Sequence, residues 1–430
     1  MTAKIHIERM MHRTSVTVAG ESVASYALLK LIPTGQGDQQ DKPIGLNLAL
    51  VLDVSGSMYE EDGTGKSRLH RIQAAAMAAL NMLQPNDTLA LVAFGHDAQV
   101  ILPATKLSDR DRIEDVIERV DRHDVDPGGT SMDQGLKLAM EEVEKNAQPG
   151  MLTQVVILTD GETSGEQMCR QLAQEASSKN IHLTLMGIGT EWNAGLLKDM
   201  AQLAEGKWYY IDVSQADDAE RAFMQEFGHL SQAGFTNVEL QIWPIKDVKV
   251  KRTRQVVPEI KELPVTEPEE RHLVVSLGTL ERDKPTRYVL DLSLPKRPDG
   301  SYVILQMEVS YNLGSGRRES TGKVPLQIQY AAAGQGYVNA EVARHIDEVQ
   351  IYELNKNLQD AIAANDSTEA QRVAETISRK GELLGPRAAK KTMLARQVLQ
   401  ELHGGGRVSK KTQLAVDDVA RLAEEMPVPS

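Results

Sequence analysis

Residues 48–58 read Leu-Ala-Leu-Val-Leu-Asp-Val-Ser-Gly-Ser-Met. The five apolar residues predict a fully buried β-strand, and the polar residues after them predict a loop at its carboxyl end. Asp53, Ser55 and Ser57 place one carboxylate and two hydroxyls at alternate positions of this loop, and Gly56 lets it turn tightly. Ligands that are all oxygen suit Mg²⁺, Mn²⁺ or Ca²⁺ better than zinc or copper. The stretch therefore predicts part of a site for a hard divalent cation.

The same pattern of a buried strand followed by polar residues occurs again downstream. Residues 154–159 are a second predicted buried strand, and Asp160 and Gly161 follow it. Between the two strands, the glycine-rich loop 126–131 carries Thr130 just before an amphipathic helix. In open α/β sheets, ligands bind at the carboxyl ends of the strands. We therefore expect Asp53, Thr130 and Asp160 to lie close together at one edge of a sheet.

Together, Asp53-x-Ser55-x-Ser57, Thr130 and Asp160 resemble the metal-ion-dependent adhesion site (MIDAS) of von Willebrand factor A (VWA) domains, and all five positions match. The resemblance implies that the three hydroxyls bind Mg²⁺, with Mn²⁺ or Ca²⁺ as alternatives, and that the two aspartates hold it mainly through water. It also implies that a partner protein supplies an Asp or Glu as a further ligand. A simpler interpretation is that Ser55 and Thr130 only cap the helices that follow them.

The overall composition limits the possible partners. The chain has 430 residues, 61 acidic against 48 basic side chains and a net charge of −13, which argues against nonspecific nucleic-acid binding. Cys169 is the single cysteine, so no disulfide can form within the chain. No stretch reaches the roughly 18 apolar residues of a membrane helix, and the first residues lack the apolar core of a signal peptide. We therefore expect a cytoplasmic protein that does not bind membranes.

The predicted fold class is α/β, with four segments. Residues 1–43 carry short strands, too few to form a sheet alone, and are expected to join a β-sandwich formed by residues 232–332. Residues 44–231 alternate strands and helices, which predicts a doubly wound, mainly parallel, Rossmann-like sheet inserted in that sandwich. Residues 333–430 are predicted to be helical. This organisation resembles bacterial intracellular multidomain VWA proteins.

The spacing of apolar residues also predicts where the helices lie. In the α/β segment the expected helices are 69–83, 108–123, 131–146, 164–179, 193–204 and 215–230. The pattern Asp366-x-x-Glu369 resembles a capping box, which predicts that a helix starts there and ends near Leu384. A last helix is expected over 409–425, after the glycines 404–406.

The favoured functional interpretation is a noncatalytic, metal-dependent protein-interaction module. The resemblance makes an AAA-type ATPase, or a kinase or phosphatase signalling protein, a plausible partner. One alternative is a metal-dependent hydrolase, although no general base is evident near the metal apart from Asp53 and Asp160, which the metal would already occupy. The other is a self-assembling scaffold whose metal site binds an acidic residue of a second copy. A phosphate loop at 63–67 is not expected, because Glu60 stands where that motif needs glycine.

Overall fold

A computed structural model describes residues 4–17, 21–34, 44–61, 65–215, 217–332, 336–404 and 407–422. Most of the expected break before residue 44 lies outside these ranges, as do two residues of the segment 63–67 and the end of the last expected helix. Within the described ranges, no helix is long and apolar enough to cross a membrane.

The described residues form eighteen strands in three sheets. The strands are β1 (Lys4–Met11), β2 (Ser15–Val16), β3 (Ser22–Thr34), β4 (Gly45–Asp53), β5 (Thr88–Phe94), β6 (Ala98–Lys106), β7 (Met151–Thr159), β8 (Ile181–Ile188), β9 (Lys207–Ile211), β10 (Ala233–Pro244), β11 (Lys249–Val257), β12 (Lys261–Leu263), β13 (Thr266–Glu269), β14 (His272–Glu281), β15 (Thr286–Pro295), β16 (Gly300–Asn312), β17 (Arg318–Ser320) and β18 (Val324–Tyr330).

Ten α-helices accompany these strands in the same part of the chain. They are α1 (Arg68–Ala79), α2 (Arg110–Glu118), α3 (Met132–Asn146), α4 (Glu166–Ser178), α5 (Ala194–Leu203), α6 (Asp218–Ser231), α7 (Ala340–Ala363), α8 (Ser367–Leu384), α9 (Ala389–His403) and α10 (Lys410–Arg421). By their internal contacts, the residues fall into two compact units. The α/β unit comprises residues 42–236 and 313–317, and the sandwich unit comprises the rest of the chain.

The α/β unit is built on a six-stranded sheet. Its strand order is β6-β5-β4-β7-β8-β9, and only β6 runs antiparallel to its neighbour. Leu50 of the central strand β4 belongs to the core that also holds apolar residues of α1 and α6. The next residue, Val51, packs beside Gly135 of α3 on the opposite face. Helices therefore cover both faces of a mainly parallel sheet, which confirms the predicted doubly wound α/β fold.

A buried polar network ties α6 to this sheet. Glu226 is 2 % exposed, and its carboxylate accepts hydrogen bonds from the hydroxyls of Thr184 (2.6 Å) and Tyr209 (2.8 Å). The ammonium of Lys207 lies 3.4 Å from the same carboxylate. Burial by itself raises the pKa of Glu226, but Lys207, His229 and the two hydroxyls outweigh it and hold this pKa below its ordinary value. Near neutral pH the carboxylate is therefore ionised, and both of its oxygens have hydrogen-bond or ion-pair partners inside the fold.

Glu226→Gln is expected to lower the free energy of unfolding near neutral pH by about 2 kcal/mol, because hydrogen bonds to a buried charged group contribute roughly that much. Since folding lowers this pKa, the charged form stabilises the fold above the ordinary pKa of glutamate. That contribution is lost as the pH falls through the folded pKa. Urea unfolding near neutral pH and in acid measures both effects. Glu220→Gln, at an exposed position of the same helix, is the control. An equal loss for both variants would contradict the prediction.

The sandwich unit contains the other two sheets and the C-terminal helices. One sheet has the order β1-β3-β15-β11-β12, and the other has the order β13-β14-β10-β16-β18-β2, with β17 paired to β16. The first three strands of the chain are thus distributed over both sheets. The sheets meet where the backbone amide of Ile5 donates to the hydroxyl of Tyr311 across 3.4 Å. The strands of residues 4–34 pair with those of residues 233–330, as the fold class predicted.

The C-terminal helices belong to the same unit. Val342 and Ile346 of α7 pack against Leu28 and Val289 of the first sheet. The later part of α7 forms a second apolar core with α8, α9 and α10. Asp366 caps α8, since its side chain accepts from the backbone amide of Glu369 at 3.0 Å, as expected from the sequence.

Several expected helix bounds differ from the structure. The expected helix 108–123 is α-helical only over Arg110–Glu118, and a single 3₁₀ turn lies on each side of it. The expected helix 69–83 ends at Ala79 and also continues as a 3₁₀ turn. Helix ends commonly tighten in this way, and apolar spacing does not distinguish the two forms. Residues Leu313–Arg317 lie within the segment predicted to form the β-sandwich, but by their contacts they group with the α/β unit.

Candidate metal centre

Two adjacent strands carry the two aspartates of the motif to one edge of the sheet. β4 ends at Asp53, and Asp160 directly follows β7. The strands are parallel and in register, with Leu52 opposite Leu158. Both strands are buried along nearly their whole length, because apolar residues face helices on either side. Asp53 and Asp160 are each 0 % exposed, so two carboxylates lie side by side beneath the surface.

The carboxylate of Asp53 organises the loop that follows it. One of its oxygens accepts from the backbone amide of Ser55 at 2.9 Å, and the other accepts from the hydroxyl of Thr159 at 2.6 Å. Burial raises the pKa of Asp53 to about 6, although the hydrogen bonds from Ser55 and Thr159 oppose this rise and the neighbouring charge of Asp160 adds to it. Both oxygens of Asp53 are thus already engaged with the protein.

A chain of oxygen atoms links the two strand ends. The hydroxyl oxygens of Ser55 and Ser57 lie 3.2 Å apart, and Ser57 donates to a carboxylate oxygen of Asp160 at 2.8 Å. The side chain of Ser55 makes no capping hydrogen bond to the 3₁₀ turn Gly56–Tyr59 that follows it. Capping therefore does not explain Ser55, and its hydroxyl is directed toward the other oxygens of the site.

A third loop brings Thr130 to the same place. The backbone amide of Gly56 donates to the carbonyl of Pro127 at 3.0 Å, which ties the serine loop to loop 126–130. The hydroxyl of Thr130 lies 3.5 Å from the position that a Cβ atom would occupy at Gly161. The residue that precedes α3 is Ser131, so Thr130 does not occupy the capping position either. All five residues of the motif thus lie on three loops at the carboxyl edge of one sheet.

Two further residues touch the site and were not predicted from the sequence. Thr159 supports Asp53, and the only signal for it was a hydroxyl directly before Asp160. Arg68, the first residue of α1, donates to the carboxylate oxygen of Asp160 that Ser57 leaves free. Its other terminal nitrogen lies 3.3 Å from the carboxylate of Glu60. The spacing of the motif does not indicate this arginine, because its contact with Asp160 depends on the direction in which α1 starts after the loop.

The donor set fits a hard divalent cation. The converging atoms are hydroxyl and carboxylate oxygens, and Mg²⁺, Mn²⁺ and Ca²⁺ prefer such ligands. Across the described ranges, no group of three or more His, Cys, Asp or Glu side chains is placed to hold a metal ion. The candidate centre instead combines two aspartates with serine and threonine hydroxyls.

Comparison with known proteins identifies the class to which this sheet and site belong. Residues 48–162 match the family model of the von Willebrand factor type A domain. The chain therefore contains a VWA domain at these residues. The matched region contains both strand ends and the intervening loop that carry the five motif residues.

Relatives and a solved structure extend the likeness beyond this domain. The uncharacterized protein sll0103 of Synechocystis is 29% identical over 361 residues, which cover 82% of each chain. YfbK, an uncharacterized protein of Escherichia coli, is 23% identical over 220 residues, which are 50% of this chain and 36% of YfbK. A von Willebrand factor type A protein from Catenulispora acidiphila matches with a TM-score of 0.81 and 16% identity, over 99% of this chain and 98% of that one. This last match shows that the fold is shared along the whole chain.

Proposed function

We propose that this protein is a noncatalytic interaction module that binds an acidic side chain of a partner protein through a divalent cation. The observation that carries the proposal is the meeting of Ser55, Ser57 and Asp160 in one chain of oxygen atoms, with Thr130 beside Gly161. Three separate loops contribute to it, and capping explains neither Ser55 nor Thr130. Metal binding is the function that accounts for the whole arrangement.

The residues divide into two roles. The hydroxyls of Ser55, Ser57 and Thr130 would hold the ion, while Asp53 and Asp160 would bind its water ligands. Asp53 suits this outer role because both of its oxygens already accept hydrogen bonds within the protein. When bound, Mg²⁺, or Mn²⁺ or Ca²⁺ in its place, supplies a positive charge with a ligand position open to a carboxylate oxygen. Neutral hydroxyl ligands leave much of that charge for the partner's Asp or Glu.

The choice of partner follows from charge and from family resemblance. A net charge of −13 disfavours nucleic acid, so a protein partner is proposed. An AAA-type ATPase, or a kinase or phosphatase signalling protein, is the kind of partner that the resemblance to bacterial VWA proteins suggests. We place this interaction in the cytoplasm. The sandwich unit would serve as a platform, and its C-terminal helices would bind a second partner or another copy.

A metal-dependent hydrolase is the main alternative, and one observation bears on it. The raised pKa of Asp53 falls in the range useful to a general base, but both oxygens of Asp53 are hydrogen-bonded and the residue is fully buried. Assays with generic phosphate and ester substrates in Mg²⁺ or Mn²⁺ test this alternative. Turnover by the wild type that Asp160→Ala abolishes would overturn the noncatalytic assignment.

Affinity capture from the lysate of the native host tests the proposal directly. Three samples are compared: the wild type with Mg²⁺, the wild type with EDTA, and Ser55→Ala/Thr130→Ala with Mg²⁺. We expect one partner to be retained by the first sample alone, and its binding to be lost when its contacting Asp or Glu is changed to the amide. Partners retained equally by all three samples would contradict a metal-dependent mechanism. Light scattering with and without Mg²⁺ shows whether the partner is a second copy.

A further inference from the structure

Arg68 connects the candidate metal centre to the acidic loop in front of it. One terminal nitrogen of its guanidinium donates to Asp160, and the other lies 3.3 Å from the carboxylate of Glu60. The side chain of Arg68 is 16% exposed, whereas Asp160 is fully buried and the side chain of Glu60 is 66% exposed. The arginine thus reaches from solvent to the buried carboxylate of the site.

The local backbone holds this arginine in place. The amide of Arg68 donates to the carbonyl of Glu60 at 3.4 Å, and Glu61 forms an antiparallel bridge with Ser67. Ser67 then caps α1, because its hydroxyl accepts from the amide of His70 at 3.1 Å. These contacts fix the backbone of Arg68 beside Glu60 and at the start of α1, so its side chain reaches Asp160 from a fixed position.

We propose that Arg68 is a positioning residue that sets the cation affinity of the site. This inference rests on the proposed function, because it takes the five motif residues to bind a divalent cation. Asp53 and Asp160 supply two negative charges, and Arg68 offsets one of them. The water ligands of a bound cation would share the carboxylate of Asp160 with the guanidinium. The arginine therefore keeps the ion weakly held and leaves more of its charge for a partner's carboxylate.

The size of the effect follows from simple electrostatics. A unit charge about 6 Å from a divalent ion changes its affinity by about tenfold even with the dielectric constant of water, and by more in a less polar site. Arg68→Gln removes that charge and is expected to tighten Mg²⁺ binding by about tenfold or more. Arg68→Lys keeps the charge but not the planar fork that spans two carboxylates. We expect its Mg²⁺ affinity to stay close to that of the wild type.

The experiment is calorimetric titration of the full chain with Mg²⁺ and with Mn²⁺. The matched control is Arg110→Gln, which removes an arginine that pairs with Glu114 in α2 and contacts Asn81 beyond the other end of α1. The control should bind the ion as the wild type does. Urea unfolding of each variant without metal separates a general loss of stability from an effect on the ion.

Each outcome decides between the inference and the function on which it rests. Tighter binding by Arg68→Gln, with Arg68→Lys near the wild type, supports the inference. Binding by Arg68→Gln alone also supports it, since the arginine would then exclude the ion from the wild type. Unchanged or weaker binding by Arg68→Gln, where the wild type binds, overturns this inference and leaves the proposed function standing. No binding by any variant overturns both.

Discussion

Replacement of Ser55 and Thr130 by alanine is expected to reduce the affinity for Mg²⁺ by roughly a hundredfold or more. Changes to groups that merely orient metal ligands already cost about tenfold to hundredfold, and this variant removes two proposed ligands from two different loops. The fold should survive, because neither hydroxyl caps a helix. Calorimetric titration with Mg²⁺, repeated with Mn²⁺, measures the change.

The matched control removes one serine and one threonine hydroxyl elsewhere in the same unit. Ser178 lies at the end of α4 and donates to the carbonyl of Glu175, and Thr105 of β6 donates to the carbonyl of Pro103. Thr105 pairs with Leu89 near the start of β5, at the sheet edge opposite Asp53. Ser178→Ala/Thr105→Ala should bind Mg²⁺ as the wild type does. Equal affinities for the wild type and Ser55→Ala/Thr130→Ala would show that the motif does not hold the ion.

Gly187→Ala is expected to destabilise the protein by about 3 kcal/mol, which is the upper part of the usual range for overpacking a core. Gly187 lies in β8 between Thr159 and Tyr210 of the neighbouring strands. A methyl group there would lie 2.1 Å from a ring carbon of Trp192. Trp192 is fully buried, and its indole nitrogen donates to the carbonyl of Gly189 at 2.9 Å. To make room for the methyl group this buried ring would have to move, which would disturb its hydrogen bond to Gly189.

Urea unfolding near neutral pH measures this loss, and a second glycine provides the control. In α5, the nearest contact of an added methyl group at Gly195 is the side-chain oxygen of Asn193 at 3.4 Å. Gly195→Ala should be neutral or stabilising by up to about 1 kcal/mol, because alanine favours helix more than glycine does. Equal stability of Gly187→Ala and Gly195→Ala would show that Trp192 does not pack tightly against Gly187.

The features of the fold and site that the sequence predicted are those that depend on local patterns. The buried strands before Asp53 and Asp160 are continuous apolar runs, and their order with the helices between them specifies a parallel sheet. Parallel strands then bring their carboxyl ends to one edge. The sequence alone therefore predicts that the five motif residues meet.

The parts that the sequence did not predict depend on contacts between distant residues. The pairing of Arg68 with Asp160 joins residues 92 positions apart, and that of Thr159 with Asp53 joins residues 106 positions apart. The partners of Glu226 are likewise contributed by other elements of the unit. Such side-chain partners depend on the direction of each helix and on the register of the strands. Neither of these can be read from the spacing of apolar residues in the sequence.

The most direct test of the central claim is anomalous diffraction from crystals of the full chain grown with Mn²⁺. We expect an anomalous peak bonded to the hydroxyls of Ser55, Ser57 and Thr130, with Asp53 and Asp160 beside it. In this state Asp160 would face the ion and Arg68 together. A manganese peak bound elsewhere, with no density among these five residues, would contradict the account.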